Sequence, residues 1–518
     1  MTDGAAKNGA DALISTLVAN EVTACFANPG TSEMQFVAAL DGVPAMRPVL
    51  CQFEGVATGA ADGYGRIADK PACTLLHLGP GYGNGVANLH NARRAFTPIV
   101  NVIGDHATYH RQYDAPLNSD IATLVKPNSI WTKSADSPDT VASVTAEAVA
   151  ASYGPPGGPV SLILPADSAW LPAANEPVIA QKPVRPAPAG AAVDAAAKAI
   201  KGAKRPVVLL GGQACRAEAL AQAARLQAAG VTVYTDTFVA RQPRGAGGFL
   251  PKKMQYFGEM ALAELEGVDL MVYAGTTMPV AFFAYPNRPS ILVPEGCETL
   301  TLLDRAEDAV AGLAALADAL GAPKAGPTQS LSLPDAATGK LTAYGVGAAI
   351  ARHMPEGAII ADDAVTSGAG VAANTATARP HDVLALTGGA IGIGLPLAVG
   401  AAVAAPDRKV LSLNGDGAAM YTIQALWTMA RENLDITVVV FANYTYRILN
   451  VEMERTGAGK AGPSAKKLLD LGGPDIDFVA VAKGLGLPAV SCDTAEAFEK
   501  AFAGAMAQRG PMFIEAKI

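Results

Sequence analysis

Asn414-Gly415-Asp416-Gly417, with Asn443 standing 27 residues beyond the aspartate, is the pattern in this chain best suited to chemistry. A carboxylate and an amide carbonyl are hard oxygen donors of the kind Mg²⁺ takes. That ion leaves its remaining positions to phosphate oxygens and water. Gly415 and Gly417 let the backbone come close to a phosphate and present its N–H groups. This spacing points to a metal–diphosphate site split over two segments.

The surrounding pattern says how the two segments meet. Lys409 to Leu413 is a short apolar strand, Tyr421 to Arg431 has apolar residues at helical spacing, and Ile436 to Ala442 is a continuous β-branched and apolar run. Such a run suits a strand buried on both faces. Strand, helix, strand with a right-handed crossover puts Asp416 and Asn443 at the carboxyl ends of neighbouring parallel strands.

Gly415-Asp416-Gly417 with Asn443-Tyr444-Thr445 resembles the cofactor motif of thiamine-diphosphate enzymes. The relatives in view are acetolactate synthases, benzoylformate decarboxylases and pyruvate decarboxylases. The resemblance implies that Asp416, Asn443 and the backbone carbonyl of Thr445 hold Mg²⁺, and that Gly415, Gly417 and Ala418 lie along the diphosphate. It implies further residues wherever the chain matches. Glu54, heading the Ala/Gly-rich stretch Glu54-Gly-Val-Ala-Thr-Gly-Ala-Ala-Asp-Gly-Tyr-Gly-Arg66, would hydrogen-bond the aminopyrimidine. A glutamate among close-packed neighbours is costly unless paired or protonated, which is itself a sign of function.

Leu76-His77-Leu-Gly-Pro-Gly-Tyr-Gly-Asn84 combines a glycine loop similar to that of acetolactate synthases with a histidine similar to that of benzoylformate decarboxylase. Imidazole is suited to moving protons near neutrality, so His77 is expected to be catalytic and Asn84 to touch the cofactor. His106 and His110, after the strand Pro98 to Ile103, resemble a histidine pair of pyruvate decarboxylases, with His106 the stronger candidate. Thr366 and Ser367, at a strand end leading into a helix, suit the diphosphate. In Thr387-Gly-Gly389-Ala-Ile391-Gly-Ile-Gly394, the resemblance makes Gly389 a backbone contact to the aminopyrimidine and Ile391 the wedge that bends the cofactor. The glycine spacing does not match a dinucleotide fingerprint, and no acidic residue closes the next strand.

The substrate pocket departs from every relative. Thr31, in Asn28-Pro-Gly-Thr31, stands where benzoylformate decarboxylase has a serine. Gln242, in Arg241-Gln242-Pro243, is placed where that enzyme has a second histidine, and Glu452 where relatives carry an aromatic residue.

Composition bounds the rest. The 518 residues carry 39 basic and 47 acidic side chains, a formal charge of −8, and half are hydrophobic. No basic cluster invites nucleic acid. No uninterrupted apolar run of membrane-spanning length appears, and the residues from Met1 show no signal-peptide pattern. Six scattered cysteines without a Cys-x-x-Cys pair suit a reducing cytoplasm.

The expected fold class is α/β, with three doubly wound parallel-sheet domains. Residues 1–180 would be the pyrimidine-binding domain, 190–325 a central Rossmann-like domain and 340–518 the diphosphate- and Mg²⁺-binding domain. Pro/Ala- and Pro/Gly/Ser-rich linkers fall near 173–191 and 321–333. Within the central segment the strands are expected at Pro206–Leu210, Val231–Tyr234, Leu270–Ala274 and Ile291–Val293. That domain binds FAD in acetolactate synthases, but no flavin signature stands here and FAD is not expected. The activity implied is decarboxylation of a small 2-oxo acid, giving an aldehyde or a 2-hydroxy ketone. Active sites would lie between subunits of a homodimer or homotetramer. The alternatives are carbon–carbon cleavage of 2-hydroxyacyl thioesters and, in another class, a nicotinamide oxidoreductase.

Overall fold

The long apolar runs become parallel strands, because a strand covered by helices on both faces needs side chains that avoid water on both. The computed structural model describes residues 7–174 and 176–518. Met1 to Ala6, the start of the stretch expected to lack a leader pattern, and Asn175, inside the expected linker, lie outside the described residues.

The first sheet is built from β1 (Ala24–Asn28), β2 (Arg47–Leu50), β3 (Ala72–Leu76), β4 (Ile99–Asp105), β5 (Trp131–Ser134) and β6 (Pro159–Pro165). Their spatial order is β2-β1-β3-β4-β6-β5, all parallel. The central segment supplies β7 (Pro206–Leu210), β8 (Thr232–Thr235), β9 (Gln242–Arg244), β10 (Lys252–Lys253), β11 (Leu270–Ala274) and β12 (Glu298–Leu303). Five of these form a parallel sheet in the order β10-β8-β7-β11-β12. The last sheet holds β13 (Ala358–Asp363), β14 (His381–Ala385), β15 (Val410–Gly415), β16 (Ile436–Ala442), β17 (Ala489–Cys492) and β18 (Met512–Lys517). Its order is β17-β18-β16-β15-β13-β14-β9, and the visiting β9 is its only antiparallel member. No described helix is long and apolar enough to cross a membrane.

Two expectations fail locally. Ile291–Val293 is not a strand; Ile291 makes only an isolated bridge to Val280. The fifth central strand is instead Glu298–Leu303, which has β11 as its only neighbour and exposes Glu298 and Thr299. Its mixed polar pattern is that of an edge strand, which an apolar-run criterion passes over. The expected helix from Tyr421 to Arg431 is two helices, Asp416–Tyr421 and Ala425–Arg431. At the break, the Thr422 hydroxyl donates to the Gly392 carbonyl.

The N- and C-terminal sheets are joined helix to helix. Glu54–Ala68 and Gly394–Ala404, buried from Gly394 to Val403, pack backbone against backbone. A methyl group on Gly63 would stand 2.1 Å from the Leu397 carbonyl oxygen, and one on Gly400 1.8 Å from that of Ala60. Only hydrogen fits at either position.

This contact generates a prediction. Gly400→Ala must push the two helices apart and is expected to destabilise by about 3 kcal/mol or more, as overpacking does. Gly202→Ala, at the exposed end of the helix Gly190–Gly202 with nothing within 4 Å of the added carbon, is expected to be neutral or stabilising by about 0.5–1 kcal/mol. Denaturant unfolding of both variants checks the contrast.

Candidate active site

The parallel register brings the split motif together. Gly415 pairs with Phe441, so the chain leaves β15 and β16 side by side. Asp416, the first residue of its helix, is 3% exposed. Its Oδ1 accepts from the Gly417 N–H at 2.8 Å. Its Oδ2 accepts from the Asn443 and Tyr444 N–H groups at 3.0 and 2.6 Å. Burial raises its pKa and these three amides work against that rise. Asn443 Oδ1 accepts from the Thr445 N–H at 3.0 Å, and Tyr444 between them takes a left-handed φ of 53°.

The donors fit the groups expected. They are hard oxygens on two adjoining strand ends. Asn414 Oδ1, just before this turn, is buried without a partner and lies against Gly394. A methyl on Gly417 would strike the Tyr446 ring at 2.3 Å, whereas Gly415 faces open space where an anion could lie. Asp416, Asn443 and the Thr445 carbonyl could therefore hold a divalent cation. One carboxylate is too little for a metal cluster, and among the described residues no group of three His, Cys, Asp or Glu forms one.

At the end of the neighbouring β13, Thr366 is exposed and Ser367 buried, in a turn where Val365 takes φ 49°. A β-branched residue in this region is strained by about 1–3 kcal/mol. Asp363, just before, is a residue the sequence reading missed. Its Oδ2 accepts from the Gly392 and Gly394 N–H groups at 2.8 and 3.2 Å, fixing the loop that carries Ile391. Asn91 holds the same loop from the helix Leu78–Ala95 of the N-terminal segment, accepting from the Gly388 and Ala390 N–H groups at 3.1 and 3.3 Å. Gly389 there has φ 81°.

The second cluster forms on the first sheet. Glu54 heads its helix, buried, and Asn84 Nδ2 donates to its Oε2 at 2.9 Å. Gly81 lies between Glu54 and His77, since a methyl on it would meet both side chains within 3.4 Å. His77 caps the helix Leu78–Ala95, and Leu78 beside it has φ 47°. Its Nδ1 lies 2.8 Å from Glu33 Oε2, which also accepts from the Gly30 N–H at 2.8 Å. Glu33 Oε1 accepts from the Ser32 hydroxyl at 2.5 Å. Glu33 is 3% exposed and packs on Gly104, where a methyl would strike its Oε1 at 1.7 Å. Glu33 was not singled out from the sequence, where nothing separates it from a surface glutamate.

The remaining candidates divide. His106, at the end of β4 next to β3, buries an unpartnered Nε2 and packs edge-on against His110, ring centroids 5.3 Å apart. Thr31 is exposed at the same edge as Ser32 and makes no side-chain hydrogen bond among the described residues. Glu452 accepts from the Tyr285 hydroxyl at 2.7 Å. Gln242 sits in β9 opposite Val383, set into the edge of the last sheet. Within one chain, Glu54 and Asp416 share no hydrogen-bond partner among the described residues.

Comparison with known proteins identifies the family. Residues 364–516 match the family model "Thiamine pyrophosphate enzyme, C-terminal TPP binding domain". Residues 7–124 match "Thiamine pyrophosphate enzyme, N-terminal TPP binding domain". The chain is 50% identical over 511 residues to "Putative acetolactate synthase large subunit IlvX" of Mycobacterium tuberculosis, covering 98% of each. It is 30% identical over 522 residues to benzoylformate decarboxylase of Pseudomonas aeruginosa, covering 95% of this chain and 96% of that one. A solved thiamine diphosphate-dependent 4-hydroxybenzoylformate decarboxylase of Rhodococcus jostii RHA1 superposes with a TM-score of 0.87 at 26% identity, over 98% and 99% of the two chains.

The protein belongs to the thiamine-diphosphate-dependent enzyme family. Its fold and its relatives are those of decarboxylases and acetolactate synthases. The nicotinamide alternative falls away.

Asp363 gives a pH prediction. Burial pushes its carboxyl up to about 7 from an ordinary 3.8. The folded state holds that proton more tightly than the unfolded chain. The stability tied to this group is therefore full below about pH 4 and is lost as pH rises to about 7. Asp363→Asn, melted without cofactor, is expected to gain on the unmodified protein between pH 5 and pH 8. An Asn–wild-type difference in melting temperature that stays constant over that range would contradict it.

Proposed function

We propose that this enzyme uses thiamine diphosphate and Mg²⁺ to remove CO₂ from a small 2-oxo acid, releasing an aldehyde or joining the product to a second carbonyl as a 2-hydroxy ketone. The observation that carries this reading is the buried Glu54 at a helix head, paired only with an amide, on a chain whose relatives are decarboxylases and carboligases. When bound, the cofactor supplies a nucleophilic carbon and an electron sink. Asp416, Asn443 and the Thr445 carbonyl would hold the cation. Gly415, Gly417, Ala418, Thr366 and Ser367 would face the diphosphate, and Gly389 and Ile391 the aminopyrimidine.

Glu54 would exchange a proton with the ring nitrogen nearest its carboxyl, with Asn84 keeping one oxygen in place. His77, oriented through Nδ1 by Glu33, leaves Nε2 to carry a proton to or from the substrate. His106 is the second candidate for that task. A carboxylate that holds a histidine in one tautomer acts as a positioning group.

We assign Glu54 and Asp416 of a complete site to different copies, as the resemblance to the family implies. The smallest working assembly is then a homodimer, and a pair of dimers would give a homotetramer. We retain domains at 1–180, 190–325 and 340–518. A reducing cytoplasm suits six unpaired cysteines, five of them buried. We do not assign FAD to the central domain. A methyl on Gly211, in the glycine turn after β7, would stand 2.4 Å from the Asp236 carboxylate. A carboxylate there repels the diphosphate that such a turn otherwise receives.

The test is a screen of 2-oxo acids with thiamine diphosphate and Mg²⁺, following CO₂ and carbonyl product. Turnover of 2-hydroxyacyl thioesters instead would reassign the chain as a carbon–carbon lyase. Glu54→Gln is expected to abolish turnover while cofactor still binds, read by fluorescence titration; near-normal rates would sink the assignment. His77→Ala is expected to lose about 10²–10⁴-fold in kcat, and Glu33→Gln a smaller share of the same step.

A further inference from the structure

Tyr444, between the candidate ligands Asn443 and Thr445, takes φ 53°. Glycine enters that region freely, whereas a side chain enters it at a cost. A tyrosine retained there points to a task that glycine could not perform. Tyr444 is held at three points. Its N–H donates to Asp416 Oδ2 at 2.6 Å. Its carbonyl accepts from the Leu471 N–H at 2.8 Å. Its hydroxyl donates to Glu515 Oε1 at 3.1 Å. The first two bonds belong to the backbone and would serve any residue; the third needs the phenol.

Glu515 is the fixed end of that contact. It stands in β18, paired with Val440 of β16 on one side and Ser491 of β17 on the other. It is 3% exposed. A carboxylate this deep is costly unless it is bonded. Among the described residues, the Tyr444 hydroxyl supplies its one side-chain hydrogen bond. Lys517, half exposed, approaches the other oxygen to 3.9 Å. The phenol therefore tethers the turn after β16 to a strand paired on both sides. Asn443 and Thr445 flank the tethered residue, and the Thr445 N–H donates to Asn443 Oδ1 at 3.0 Å. The dihedral angles of Tyr444 thus set where the Asn443 amide and the Thr445 carbonyl stand relative to Asp416. Mg²⁺ demands near-ideal octahedral geometry, and the groups behind its ligands govern affinity.

We propose that Glu515 and Tyr444 are positioning residues for the cation: Glu515 fixes the phenol, and the phenol fixes the turn that aligns Asn443 and Thr445 with Asp416. This role rests on the reading above in which those three residues hold the ion.

The test titrates Mn²⁺, a paramagnetic substitute for Mg²⁺, into the protein with thiamine diphosphate in excess and reads free Mn²⁺ by electron paramagnetic resonance, so that no turnover is needed. Tyr444→Phe, which removes one oxygen atom, is expected to raise the Mn²⁺ Kd about 10–100-fold, and Glu515→Leu by a similar factor. The double variant should bind about as weakly as either single one, because both changes remove the same hydrogen bond. Tyr444→Gly, which suits the left-handed φ, should lose affinity at least as far as Tyr444→Phe. An unchanged Kd in Tyr444→Phe, a normal Kd in Tyr444→Gly, or losses that add in the double variant would overturn the proposal. Asp416→Ala separates this role from the cation reading itself. If Asp416→Ala abolishes Mn²⁺ binding while Tyr444→Phe leaves it intact, the positioning role alone falls. If Asp416→Ala binds Mn²⁺ as the unmodified protein does, or the unmodified protein binds none, the cation reading falls and the positioning role with it.

Discussion

The helix Glu54–Ala68 is the constraint on which the molecule is assembled. Its amino end presents Glu54, its middle has given up side chains at Gly59 and Gly63, and its carboxyl end is clamped. The clamp is the buried pair Asp62–Arg66. Arg66 bonds both carboxylate oxygens at 2.8 and 2.6 Å. It also donates to the Ala240 and Ala385 carbonyls, one in the central segment and one in the last. Thr97 adds a hydrogen bond to Asp62 at 2.6 Å. A buried pair this fully bonded contributes little net stability, but breaking it leaves an uncompensated charge costing about 3–5 kcal/mol. Arg241 and Arg216 then cap the last carbonyls of the helix from the central segment. One helix therefore registers all three sheets.

The candidate site is built on strained strand ends. Leu78, Val365 and Tyr444 all take left-handed φ, and each adjoins a candidate residue: His77, Thr366 and Asn443. Such conformations cost free energy and persist only where the surroundings over-determine them. Here the surroundings are parallel strands paired on both sides and helices packed to the backbone. The rigidity of the sheets lets short turns hold functional groups in fixed directions.

Much of this was legible in the chain. The run Ile436 to Ala442 is the strand it promised to be, because a doubly covered strand needs unbroken apolar side chains. Asp416 and Asn443 could be placed side by side because parallel crossovers have one hand. The edge strand Glu298–Leu303 was not legible, since one partner and one wet face leave a mixed pattern. Gln242, named as a pocket candidate, stands in β9 on the edge of the last sheet, and local similarity does not report which sheet a short strand joins.

The sequence by itself determined the fold class, because apolar runs with glycine turns select parallel α/β layers. It also named the candidate cofactor residues at the strand ends. The tertiary structure alone decided which groups meet across long separations. Glu33 became the partner of His77 from 44 residues away, Asn91 the anchor of the Gly389 loop, and Phe282 the roof of Gly389. Those pairings depend on how three sheets dock, through contacts between chain segments that no local pattern encodes.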